Sequence, residues 1–230
     1  MLFNPSTPPG YEVDNLERLS LSSIRGVRVN PALWSKQEVA GRIVDHEGLL
    51  RMMRRCAVVG YPVSFLGMDG YSSMRGDLLG LVSKVPDCPV LVDHYGFNEV
   101  NDREGDEGME AMIGDLRQVE RGGVKASASF RSMDSRLKEE AMVRGWGASE
   151  IWGRHYSGIV ANRLEPVFRG LGGDKVMWGS DAPWLDLLGG GVEREIEYMR
   201  EWAEGGRGRG DVMGKTTRDW YWGMERGYEG

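Results

Sequence analysis

Three strand-like segments end in groups able to do polar chemistry, where α/β enzymes gather their catalytic side chains. The first is Arg25-Gly26-Val27-Arg28-Val29-Asn30-Pro31. Arg28 and Asn30 alternate with Val27 and Val29, so they share one face of the strand. An Arg turned into a buried face must meet a carboxylate, either of the protein or of a substrate. The plainer alternative is a surface Arg at a strand end. The second segment is Val90-Leu91-Val92-Asp93-His94-Tyr95-Gly96. It brings His94 to the end of an apolar strand, where an imidazole can bind metal, shuttle a proton or polarise a carbonyl. The third, Lys175-Val176-Met177-Trp178-Gly179-Ser180-Asp181-Ala182-Pro183-Trp184, carries Asp181 just past a strand. Such a carboxylate could deprotonate a water or bind a metal. Its plainer role is to cap the next helix.

These ends need elements to hold them. The strand candidates are Ile24–Val29, Ala57–Phe65, Val90–Asp93, Val124–Ala128 and Val176–Trp178, bounded by Gly or Pro and rich in Val and Ile. Between them, Ser35–Arg55, Ser72–Val85, Gly105–Arg121, Met133–Arg144 and Ile159–Leu171 have helical character, and Val192–Glu204 and Asp211–Trp222 follow. In Ser72–Val85 the apolar Met74, Leu78, Leu81 and Val85 recur at spacings of three and four, so one face can pack on a sheet. The alternation predicts parallel α/β architecture in a single domain spanning residues 1–230. A doubly wound sheet and a (β/α)8 barrel both fit that count. A full barrel needs eight strands and about 250 residues. Because Phe3-Asn4-Pro5 resembles the end of a strand, a barrel made by this chain is expected to lack its first strand or two.

Composition removes several classes of function. The net charge of −6 argues against nucleic acid, whose sites concentrate Lys and Arg. No apolar run reaches the roughly 18–20 residues that cross a bilayer, and the first residues lack a signal-peptide pattern. Two cysteines, Cys56 and Cys88, are too few for a disulfide framework and are expected as buried thiols in the cytoplasm. His46 lies in a charged helical stretch and His155 in a polar segment. Of the eight tryptophans, Trp34, Trp152, Trp178 and Trp184 fall near the expected strand ends, where they could line a pocket or simply fill the core.

Together these segments resemble the amidohydrolase-related family (amidohydrolase 2), in the branch that includes 2-pyrone-4,6-dicarboxylate lactonases and zinc-dependent decarboxylases. The matching stretches are Gly26-Val27-Arg28 ("GVR"), Asp93-His94-Tyr95-Gly96 ("DHxG"), Val124-Lys125-Ala126-Ser127 ("VKxS") and Trp178-Gly179-Ser180-Asp181-Ala182-Pro183 ("WGSDxP"). Thr216-Thr217-Arg218-Asp219-Trp220-Tyr221 is similar to the family's last helix. The resemblance covers nearly the whole chain and implies a (β/α)8 TIM barrel with its active site at the C-terminal ends of the strands. It implies that Asp181 activates water and that His94 binds or polarises the scissile carbonyl. It also implies that Arg28 and Arg131 hold substrate carboxylates, with Asn30 and Lys125 as further candidates for substrate contact. Lys125 could equally be the structural partner of a carboxylate.

The family's zinc-dependent members carry His-x-His on the first strand, and this sequence contains none. A zinc site wants three or four ligands. His94 and Asp181 have no obvious third, so no cofactor is expected unless metal ligands lie upstream. The leading expectation is therefore hydrolysis of a small carboxylated cyclic substrate of lactone type. Two alternatives stay open. One is a non-catalytic barrel remnant; the other is a metal-dependent decarboxylase or amidohydrolase with an upstream His-x-His. An incomplete barrel exposes strand edges, so a homo-oligomer is the expected partner besides the small-molecule substrate.

Overall fold

The computed structural model describes residues 25–31, 43–97, 107–127, 160–179 and 192–222, with isolated positions between 140 and 158. Five short strands run through them: β1 (Val27–Val29), β2 (Val63–Phe65), β3 (Val90–Asp93), β4 (Gly122–Ala126) and β5 (Val176–Trp178). They form one parallel sheet in the order β1-β2-β3-β4-β5. A doubly wound sheet reverses its strand order at a switch point. Here each strand pairs with the next in the chain, as in a barrel. The described sheet is thus part of a (β/α)8 TIM barrel, and the expected loss of the first strands falls on residues outside the described set.

Helices α1 (Glu47–Val59), α2 (Tyr71–Lys84), α3 (Glu107–Gln118) and α4 (Glu165–Leu171) precede β2, β3, β4 and β5 in turn. A π-helical turn, Val160–Leu164, leads into α4. After β5 come α5 (Val192–Glu204), α6 (Arg209–Val212) and α7 (Lys215–Trp222).

The pairing register sorts the strand residues onto two faces. Val27 pairs with Val63, Val63 with Val90, and Val124 with Val176. These valines share a core with Leu49, Met52 and Met53 of α1, Leu78 and Leu81 of α2, and Met112 and Leu116 of α3. That is the helix-facing side. The other face carries Arg28 opposite Ser64, Ser64 opposite Leu91, Asp93 opposite Lys125, and Lys125 opposite Met177. In a barrel this second face lines the interior, so the polar residues collect there.

One predicted boundary is corrected. Ala57–Val59 are the last turn of α1, not the start of a strand. His46 caps the start of this helix, its Nδ1 accepting from the Leu49 amide at 3.2 Å. The buried stripe Leu49, Met52, Met53 and Cys56 keeps helical spacing to the end, while Val58 is exposed. Gly60 then stops the helix at φ 74°, a conformation glycine adopts without steric cost. β2 begins only at Val63 because the apolar run is divided between helix and strand.

Helix α7 lies against the inner face at the N-terminal ends of the strands. A Cβ on Gly123 would come within 3.0 Å of the Trp220 ring and 2.8 Å of the Lys175 carbonyl. A Cβ on Gly26 would sit 3.1 Å from the Tyr221 ring. Trp220 Nε1 donates to the Asp174 carbonyl at 2.8 Å, and Thr216 Oγ1 to the Gly173 carbonyl at 2.6 Å. The two glycines thus make room for the aromatic pair that covers the underside of the sheet.

Candidate active site

The C-terminal ends of β1, β3 and β4 bring four of the predicted residues together. Arg28 Nε lies 2.8 Å from Asp93 Oδ2, with Asp93 fully buried and the Arg28 side chain 36% exposed. The carboxylate that Arg28 meets belongs to the protein. Neither Asp93 oxygen accepts an aligned hydrogen bond among the described residues, so the contact is one of charge. Lys125 stands beside Asp93 in the register. A Cβ on Gly179 would come within 2.5 Å of Lys125 Cε. The glycine of the "WGSDxP" stretch is therefore where the lysine side chain passes the backbone just beyond β5. Asn30, just past β1, is buried and has partners of its own.

His94 follows Asp93 at the end of β3, and its backbone turns sharply there. His94 and Tyr95 both have φ of 54°, and Gly96 has φ 72°. Two successive non-glycine residues in the left-handed region are costly, and such strain gathers at functional sites. The turn holds the imidazole at the barrel mouth, 2% exposed, with Nδ1 2.8 Å from the Ser127 hydroxyl just beyond β4. Ser127 is fully buried. The hydrogen bond orients the ring, and because a serine hydroxyl can donate or accept, the bond is compatible with either imidazole tautomer.

Two groups of residues join this site that local sequence did not single out. Tyr221 of α7 comes up beside the Arg28–Asp93 pair. Burial, reinforced by the Asp93 charge and opposed by Arg28, pushes its hydroxyl up to about 12, so it stays a neutral phenol. Tyr95 neighbours a second cluster in which Tyr156 stacks on Tyr198 at 4.4 Å. Burial raises the Tyr156 hydroxyl well above its ordinary value, and Tyr95 and the buried Glu195 add to the effect. Ser127 carried a sequence signal in its place in "VKxS", as did Tyr95 within "DHxG" and Tyr221 at the end of the Thr216–Tyr221 stretch. Tyr198 and Tyr221 arrive from α5 and α7, more than a hundred residues beyond β3 in the chain.

Asp181 and Arg131 lie outside the described residues, as do Trp34, Trp152, Trp184 and His155. Trp178 pairs with Ala126 on the helix-facing side and packs against the apolar core, so it does not line the mouth. Cys56 and Cys88 are free and buried, and burial raises both thiols, Cys88 to about 12. No described helix is long and apolar enough to cross a membrane. Among the described residues no three His, Cys, Asp or Glu side chains converge to hold a metal ion. They do not form a metal centre by themselves.

Consecutive parallel strands with polar groups gathered at their C-terminal ends define a TIM-barrel enzyme scaffold. The family model described as Amidohydrolase matches residues 3–200. The chain belongs to the amidohydrolase family. No curated protein matches it significantly. Among solved structures, an amidohydrolase from Burkholderia multivorans with bound HEPES is 17% identical, with a TM-score of 0.67, over 95% of this chain and 71% of that one. A candidate 2-pyrone-4,6-dicarboxylic acid hydrolase from Acinetobacter baumannii, with citric acid bound, is 15% identical at TM-score 0.61, over 96% and 71%. A candidate of the same name from Pseudomonas putida is 16% identical at TM-score 0.61, over 96% and 70%. At these identities the likeness is one of fold.

Proposed function

We propose that the protein hydrolyses a small cyclic ester bearing carboxylate groups. Water, deprotonated by Asp181, adds to the lactone carbonyl carbon. The ring C–O bond then breaks, its oxygen takes up the proton, and an open-chain acid leaves. His94 donates a hydrogen bond from Nε2 to the carbonyl oxygen as negative charge develops there. Arg28 and Arg131 hold the substrate carboxylates, with Asn30 and Lys125 beside them.

The observation that carries this reading is the strained, buried His94 held by Ser127 within one residue of the Arg28–Asp93 pair. That arrangement supports a carbonyl-polarising role for His94 beside an anion-binding role for Arg28. The names given to the Acinetobacter and Pseudomonas neighbours support a carboxylated lactone as the class to try first.

The test is a panel of lactones with and without carboxylates, assayed by proton release on the full chain. Asp181→Asn should lower kcat by about a thousandfold or more, as loss of a general base does, with the thermal melt unchanged. His94→Asn should lose activity to a similar order. If Asp181→Asn keeps near-normal turnover, the water-activating role is wrong. If no lactone is turned over by the wild-type chain, the hydrolase reading fails.

A further inference from the structure

Asp93 has no exposed surface and cannot touch a substrate, yet it stands on the inner face between the proposed anion-binding Arg28 and Lys125. A fully buried carboxylate whose oxygens receive no aligned hydrogen bond from the described residues burdens the fold. We propose that Asp93 is a positioning residue that engages Arg28 through Nε, so that the two terminal nitrogens present an end-on fork to a substrate carboxylate. The guanidinium has five N–H donors in a fixed plane. With Nε turned to Asp93, the four on the terminal nitrogens remain, and their spacing matches the two oxygens of a carboxylate. Arg28 makes no other hydrogen bond or ion pair among the described residues, and its side chain is 36% exposed where that of Asp93 is fully buried.

The Tyr221 phenol beside the pair is neutral at physiological pH and brings no charge that would compete with Asp93 for the guanidinium. Without Asp93 the guanidinium would keep its charge and lose its orientation. Affinity for a carboxylate should therefore fall without a matching loss of carbonyl chemistry.

This inference rests on the reading that the substrate carries a carboxylate, and the experiment separates the two. Wild type, Asp93→Asn, Arg28→Ala and the double variant are compared in KM and kcat on a carboxylated and a neutral lactone. Citrate binding is measured by calorimetry on the same proteins. Asp93→Asn should raise KM for the carboxylated lactone and weaken citrate, each about tenfold more than it affects the neutral lactone, the scale of one charge-assisted contact. The double variant should be no worse than Arg28→Ala, because Asp93 acts through that side chain.

Equal losses on both lactones, or additive losses in the double variant, would overturn the inference for Asp93. So would a wild type that prefers carboxylated lactones and an Asp93→Asn that matches it. A wild type that hydrolyses only neutral lactones and binds no citrate would overturn the carboxylate reading itself, and the role of Asp93 with it. If Asp93→Asn does not fold, Arg28→Lys keeps the charge and removes the fork. It should show the same selective rise in KM, and an unchanged KM would refute the proposal.

Discussion

Replacing Ser127 with Ala removes the hydroxyl that holds His94. The contact is 2.8 Å long between a side chain 2% exposed and one fully buried, so water does not readily take its place. A neutral hydrogen bond contributes about 0.5–1.5 kcal/mol net, and a buried partner left unsatisfied costs about 1–3 kcal/mol. Deleting the serine also removes its own desolvation, so the expected loss is about 1–2 kcal/mol, a factor of roughly 5–30. Urea unfolding should show that loss in stability, and kcat/KM on the active lactone should fall by a similar factor.

The nitrogen chemical shifts of the imidazole read the orientation directly. For the hydrolysis proposed, Ser127 donates to Nδ1 and Nε2 carries the proton that meets the carbonyl. If the His94 Nδ1–H instead donates to Ser127, the Nε2 lone pair is free to bind a metal, and the metal-dependent alternative gains. Ser127→Ala should shift the tautomer ratio. A variant within about 0.5 kcal/mol of wild type, the range of a surface change, with unaltered imidazole shifts would refute the role given to Ser127.

Two glycines separate fold from site. Gly123→Ala drives a Cβ to 2.8 Å from a backbone carbonyl and should cost about 1–3 kcal/mol in a chemical denaturation curve. Gly179→Ala meets the far end of the Lys125 side chain, so it should cost under about 1 kcal/mol while moving that lysine and raising KM. The reverse order of stabilities would contradict the packing described. Acid should weaken the fold through two carboxylates. Burial of Glu165 works against ionisation, but hydrogen bonds from Trp202 and the charge and hydrogen bond of Arg209 outweigh it and hold its carboxyl below the usual range. Burial likewise opposes ionisation of Asp115, and bonds from Arg75 and Tyr71 hold it low. Both folded values are depressed, so their stabilisation is complete above the unfolded values of about 4 and is lost as pH falls through the folded ones. Glu165→Gln and Asp115→Asn should each flatten stability against pH below about 4, measured by thermal melts; curves parallel to wild type would refute the assignment.

Much of this protein was legible in the chain itself. β3 and β5 and the helix Val192–Glu204 have the predicted ends, because apolar runs closed by Gly or polar residues specify local structure. The order of "GVR", "DHxG", "VKxS" and "WGSDxP" pointed to the family before any geometry was known. Local pattern misread Ala57–Val59, because an apolar run does not announce where a helix hands over to a strand. Tertiary structure decided the rest. Counting strands left a doubly wound sheet and a barrel equally open; the family resemblance implied the barrel, and the pairing of each strand with its successor bears it out in the structure. An inward arginine called for a carboxylate, but only the register across β1, β2 and β3 identified it as Asp93. Nothing near Tyr221 in the sequence places it under that pair. Its position follows from α7 packing beneath strands whose glycines, Gly26 and Gly123, leave space for it and for Trp220. Periodicity reports which face of an element is buried. What that face meets depends on contacts between residues distant in the chain, and those exist only once the chain has closed on itself.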